Sequence, residues 1–170
     1  MKISASATFL TAGYDNILAT GRLDRAITQF HATDAANIAS IRKRIDVSFS
    51  RDDLDFGPGF YTTRNRAQAA QWASRFDQPT VLTFRVSQYK FSKLNGLHFD
   101  APGIGWSMFV RANRLLQGPA HGFDVISGPV LEIDTAGVQS GLPISAWPGY
   151  DQTAWITDPA TTLLHKGLQR

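Results

Sequence analysis

Nine residues about a third of the way along the chain, Asp55-Phe56-Gly57-Pro58-Gly59-Phe60-Tyr61-Thr62-Thr63, restrict what it can fold into. No regular helix passes through Gly57-Pro58-Gly59. Proline lacks the N–H that a helix interior needs, and each glycine loses more backbone freedom than any other residue. The segment is therefore a turn, and the aromatic and β-branched residues after it suit a short strand. The elements on either side of this break can then be read independently.

Before the break, Ile27-Thr28-Gln29-Phe30-His31 alternates apolar with polar residues, which predicts a strand. Asp34 suits a helix N-cap, and Ala35, Ile38, Ile41 and Ile45 recur at helical spacing, with Arg42, Lys43 and Arg44 in the last turn. After the break, Asn65 or Thr63 caps a helix that holds Ala67, Ala70, Trp72 and Ala73 and exits at Pro79. Val81 to Val86 reads as a strand, and Asn95 to Gly105 as a loop. Trp106, Phe109, Val110 and Asn113 fall at i, i+3, i+4 and i+7, an amphipathic helix closed by Gly118-Pro119. Phe123 to Ile126 predicts a strand broken by Gly128-Pro129, and Thr153 to Ile156 a late one. Asp158-Pro159 opens a final helix, with proline in the favoured first turn. Residues 1–26 carry no clear period and are expected to be an N-terminal extension on a domain spanning 27–170. Short strands mixed with helices, without regular βαβ spacing, predict an α+β fold rather than a doubly wound sheet.

Composition narrows the function classes. The 170 residues fit one domain, large enough to bury roughly 70% of its unfolded surface. With no cysteine, disulfides, thiolate chemistry and cysteine-based zinc sites are excluded, and no metal is expected. A formal charge of +3 is too small to establish nucleic-acid binding. No apolar stretch approaches the ~18 residues of a membrane span, and Met1 to Tyr14 is too rich in Ser and Thr for a signal-peptide core. The expectation is a protein without membrane association or a classical signal peptide, working in the cytoplasm of its own or a target cell.

Singly, the candidate functional residues are ordinary. A histidine at a strand end, a tyrosine beside a phenylalanine and glycines in a turn all have plain structural explanations. In order they are more specific. Phe30-His31-Ala32-Thr33, then Asp55 to Thr63, then Gln68-Ala69-Ala70-Gln71-Trp72-Ala73 resemble the "YHGT … DFGxGFYxT … A … WA" pattern of a family of small bacterial and phage proteins placed in the ADP-ribosyltransferase superfamily. Trp106-x-x-Phe109-Val110-x-x-Asn113-Arg114 is similar to that family's "WxxFVxxNR" helix. Phe123 to Val130 is similar to its "YDxVxGPxA" strand, and Asp151-Gln152 through Thr157 to its "xQxxFxT" strand.

The resemblance implies an ADP-ribosyltransferase-like split β-sandwich with flanking helices, and NAD⁺ as co-substrate. It implies a catalytic trio of His31, Tyr61 and Gln152. His31 would bond the adenosine ribose and Tyr61 would stack on nicotinamide, while Ala32, Thr33, Gly57, Gly59 and Phe60 complete the NAD⁺ site. Gln152 stands where the wider superfamily has a glutamate; it can accept the same ribose hydrogen bond but brings no charge to the cation that develops as nicotinamide leaves. Glu132 is a rival for this third position, and Asp55 a second candidate carboxylate that turn capping also explains. Arg51, Arg64 and Arg66 are candidates for the pyrophosphate. The implied activity is mono-ADP-ribosylation of a protein or nucleic-acid acceptor by a bacterial toxin or effector, with an antitoxin or immunity protein as partner. An NAD⁺ glycohydrolase and a non-catalytic NAD⁺-binding module are the alternatives. Leu97 to Gly105 and Ser140 to Tyr150 are the loops expected to choose the acceptor.

Overall fold

A computed structural model describes residues 25–116, 121–132, 135–140 and 144–170. In chain order its elements are β1 (Ala26–Asp34), α1 (Ile38–Lys43), β2 (Phe60–Thr62), α2 (Arg66–Ala73), β3 (Pro79–Ser87), α3 (Gln88–Phe91), β4 (Gly96–His98), α4 (Ile104–Arg114), β5 (Val125–Leu131), α5 (Thr135–Ser140), β6 (Ala146–Trp155) and α6 (Asp158–Lys166). This is an α+β arrangement. Most of the expected N-terminal extension, residues 1–24, lies outside the described residues.

The strands form two sheets. β1 and β3 pair antiparallel along their full length, from Ala26↔Ser87 to Asp34↔Pro79. The second sheet has the order β2-β6-β5-β4, antiparallel except for β4 against β5. Among the described residues one isolated β-bridge links the sheets: Phe30 and Thr63 exchange both backbone hydrogen bonds, at 2.8 and 2.9 Å.

Period-two alternation on β5 and β6 divides the core. Val125 and Trp155 pack on one side with Leu82, Phe84 and Val86 of β3, Ile41 of α1 and Leu164 of α6. Ile126 and Ala154 face the other way, against Phe56 and against Trp106 and Val110 of α4. Both buried indoles have partners for their N–H: Trp155 donates to Thr62 Oγ1 at 2.8 Å and Trp106 to the Pro129 carbonyl at 3.2 Å.

Local signals explain most boundaries. The Asp34 carboxylate caps the Ala36 N–H, although the turn it opens is 3₁₀ over Ala35–Asn37 before α1 begins. Asn65 caps α2 by accepting from Ala67 and Gln68 N–H. Three readings need correction. The expected loop from Ser140 to Tyr150 is strand from Ala146 onward, so the late strand is β6 over Ala146–Trp155 rather than Thr153 to Ile156. Gly128-Pro129 does not break β5; the strand runs through it, because Gly128 leaves room for Phe99 and the Pro129 carbonyl is taken by a side chain. The expected loop from Asn95 contains β4, held by parallel pairing from Gly96↔Val125 to His98↔Ser127, which no local pattern announces.

Candidate functional site

His31 lies on β1 where it faces β2. Its Nδ1 is 2.7 Å from the Tyr61 carbonyl oxygen, an obligate acceptor, so Nδ1 carries the proton and Nε2 keeps its lone pair. The imidazole is stacked on Phe60, with ring centroids 4.0 Å apart. Burial pushes its pKa down to about 4, the Arg75 charge adds to that effect, and the Tyr61 hydrogen bond opposes both. The ring is thus a neutral imidazole of fixed tautomer, offering an acceptor.

A cleft of about 510 Å³ opens at this imidazole. Thr33, Gly59, Phe60 and Tyr61 line it with His31, and Arg44 and Arg51 stand on its wall. Both arginines are already paired, Arg44 with Asp46 at 2.8 Å and Arg51 with Asp53 at 2.5 Å. Gly59 presses so close to β6 that a Cβ would sit 3.3 Å from the Trp155 carbonyl, and its N–H donates to Ser50 Oγ at 3.0 Å.

Tyr61 follows Phe60 and so faces the opposite core. Its hydroxyl donates to the Gly57 carbonyl at 2.7 Å and accepts from the Phe56 N–H at 3.0 Å. Burial raises the phenol's pKa well above the usual range, and the Asp55 charge acts in the same direction. Gly57 has φ +78°, which favours glycine, and this lets the turn fold back onto the hydroxyl.

Gln152 on β6 is buried. Tyr61 pairs with Ala154, two residues along, so the Tyr61 and Gln152 side chains share a sheet face. Gln152 Nε2 donates to Asp55 Oδ2 at 2.6 Å and to the Pro129 carbonyl at 3.0 Å. Both partners are acceptors, which fixes the amide orientation and leaves Oε1 as its acceptor for any further bond. Asp55 is a hub: Oδ2 also accepts the Leu131 N–H at 2.9 Å, and Oδ1 takes Arg114 Nε and a terminal guanidinium nitrogen at 2.7 and 2.5 Å. Only 3% of the Asp55 side chain is exposed.

The structure therefore joins the expected trio in two ways. His31 meets Tyr61 through the Tyr61 carbonyl, while Tyr61 and Gln152 both engage the Asp55–Gly57 turn. Ala32, Gly57 and Gln152 are not among the residues lining the His31 cleft. Glu132 sits at the end of β5 with its N–H on the Ser145 carbonyl. Of the three expected arginines, Arg51 reaches the cleft, Arg64 pairs with Asp151 at 3.1 Å, and Arg66 begins α2. Sequence reasoning gave Arg114 no role; the pattern had placed Asn113-Arg114 on a helix, but its pairing with Asp55, 59 residues away, depends on how α4 docks. Among the described residues no group of side chains could hold a metal ion, and no helix is long and apolar enough to cross a membrane.

The model of the DUF3990 family, described as proteins of unknown function, matches residues 28–139. This chain is a DUF3990 protein. The match takes in His31, the Asp55–Thr63 turn and strand, and Arg114, and ends before Gln152. No curated protein and no solved structure matches this DUF3990 protein.

Proposed function

We propose that this DUF3990 protein binds NAD⁺ at the His31 cleft, breaks the nicotinamide–ribose bond and transfers ADP-ribose to a macromolecule, as a toxin or effector domain on an ADP-ribosyltransferase-like split β-sandwich. The observation that carries the reading is the state of His31: a neutral imidazole, locked by Tyr61, with Nε2 as an acceptor for a ribose hydroxyl beside a cleft of about 510 Å³. That volume lies within the ~300–1,000 Å³ typical of small-molecule sites. The two sheets packed across a shared core, and the order of the motifs along the chain, support the same reading.

Gln152 accepts a ribose hydroxyl through Oε1 in this account. The Asp55 carboxylate on the other end of its amide polarises it, strengthening the acceptor. Arg114 balances that charge, so the pair orients Gln152 more than it supplies the charge of a glutamate. The commitment of Gln152 to Asp55, and its place outside the His31 cleft, favour a second reading, a module that binds NAD⁺ without turnover. Incubation with NAD⁺, with chromatography of released nicotinamide and calorimetry of binding, separates the two. Release by wild type that His31→Ala abolishes supports the enzyme; binding without release supports the module, and neither binding nor release refutes both.

A further inference from the structure

β4 and β5 carry a line of polar groups that the NAD⁺ reading does not use. His98 is the register partner of Ser127, and its Nδ1 lies 2.7 Å from Ser127 Oγ. Its Nε2 lies 3.1 Å from Asp100 Oδ1, two residues further along the chain. A carboxylate can only accept, so in the neutral ring Nε2 carries the proton and Nδ1 keeps its lone pair. The Ser127 hydroxyl is then the donor in the remaining bond. A serine bonded to an imidazole whose other nitrogen is oriented by a carboxylate is the arrangement that activates an oxygen nucleophile. Here the imidazole is turned end for end, with Nδ1 as the base, and either ring nitrogen can serve once the other is anchored.

The three groups are open to a ligand rather than packed away. Val125, on the same face of β5 as Ser127, is buried in the core with β3 and α6, but Ser127 itself is half-buried and the His98 side chain is 33% exposed. Ser127, His98 and Asp100 all line a cleft of about 490 Å³. Trp147 and Tyr150 line the same cleft as a stacked pair, ring centroids 6.0 Å apart, so an acyl group finds aromatic surface in the cavity that holds the nucleophile. Asp100 is 86% exposed, and water screens most of what its charge could lend the imidazole. A relay of that strength suits an ester, whose alcohol leaves more readily than the amine of an amide.

We propose that this cleft is a second site, one that hydrolyses carboxylic esters, with Ser127 as nucleophile, His98 as general base and Asp100 as the positioning residue. It stands independently of the NAD⁺ reading. Ser127 Oγ forms a bond to the carbonyl carbon of the ester as its proton passes to His98 Nδ1. The bond from that carbon to the alcohol oxygen then breaks, and the alcohol leaves with the electron pair and takes the proton from Nδ1. Water attacks the acyl-serine by the same route, which releases the carboxylic acid and restores the Ser127 hydroxyl. Asp100 accepts from the Nε2 N–H throughout and keeps Nδ1 aimed at Ser127.

The test follows p-nitrophenol release from p-nitrophenyl acetate by the purified protein. A second arm treats the wild type with a fluorophosphonate and maps the adduct by mass spectrometry, which needs no variant. Saturable hydrolysis is expected, falling at least about a hundredfold in Ser127→Ala and His98→Asn, with the fluorophosphonate on Ser127. Asp100→Asn should lower kcat by about two- to fivefold, the range an exposed ion pair is worth, with KM unchanged, and Asp100→Glu should recover it. Circular dichroism verifies that each variant is folded. Hydrolysis no faster than in buffer, hydrolysis that Ser127→Ala retains, or a fluorophosphonate adduct missing from Ser127 overturns the site. Unchanged kcat in Asp100→Asn overturns the positioning role of Asp100.

Discussion

Replacing Asp55 with asparagine removes one negative charge from a carboxylate that four donors share: Arg114 Nε and a terminal nitrogen, the Leu131 N–H and Gln152 Nε2. Asparagine keeps one oxygen and turns the other into a donor, which then faces donors. Arg114 loses its counter-charge, and breaking a buried pair from one side costs about 3–5 kcal/mol. The Arg114 side chain is 31% exposed, so water rescues part of that charge and the low end applies. The Leu131 and Gln152 donors add about 1–3 kcal/mol each where they stay unpaired, although the side that retains an acceptor loses less. A total of about 3–5 kcal/mol follows, lowering Tm by on the order of 10 °C. Urea unfolding of wild type, Asp55→Asn, Arg114→Met and the double variant gives the cycle. The double variant should be less destabilised than the sum of the singles, with a coupling of about 1–3 kcal/mol. A loss under about 1 kcal/mol for Asp55→Asn, or strict additivity, would refute the hub.

Three further outcomes follow from the same geometry. His31 titrates near 4 when folded against 6.5 unfolded, so between those values the unfolded chain binds more protons. Stability then falls by about 3 kcal/mol as pH drops from 6.5 to 4 and levels off below, and urea titrations of wild type against His31→Asn should show this extra slope in wild type alone. Tyr61→Phe keeps the ring and loses two hydrogen bonds to the Asp55–Gly57 turn; about 1–2 kcal/mol of stability should go with nicotinamide release reduced less than tenfold, whereas Tyr61→Ala should lose release altogether. Gly167→Ala drives a Cβ onto the Arg85 backbone carbonyl and should cost about 2 kcal/mol or more by thermal melting, while Gly103→Ala, with open space around it, should change stability by less than about 0.5 kcal/mol.

The parts legible in the sequence are those where the signal is local. Asn65 and Asp34 announced their caps, Asp158-Pro159 its helix, and the spacing of Trp106 and Val110 the buried stripe of α4. The Gly57-Pro58-Gly59 break led into β2 as its residue types required. What stayed hidden depends on partners far along the chain. β4 exists because Val125 to Ser127 offer a strand edge to a three-residue segment, and Gly128-Pro129 continues a strand because β6 pairs with it, Gln152 opposite Gly128 and Asp151 opposite Pro129. The same holds at the site. His31 and Tyr61 were singled out by the motifs around them, but the Nδ1 bond to the Tyr61 carbonyl needs the bridge between the two sheets. Asp55 read as a turn cap or a spare carboxylate; its position between Arg114 and Gln152 appears only when α4 and β6 are brought to it.

Binding of NAD⁺ for cleavage at the His31 cleft is tested by nicotinamide release, followed by chromatography, from purified protein and NAD⁺. Release by wild type should fall at least a hundredfold in His31→Ala and in Gln152→Ala, each variant folded by circular dichroism. No release by the wild-type protein, or equal release by His31→Ala, would contradict it.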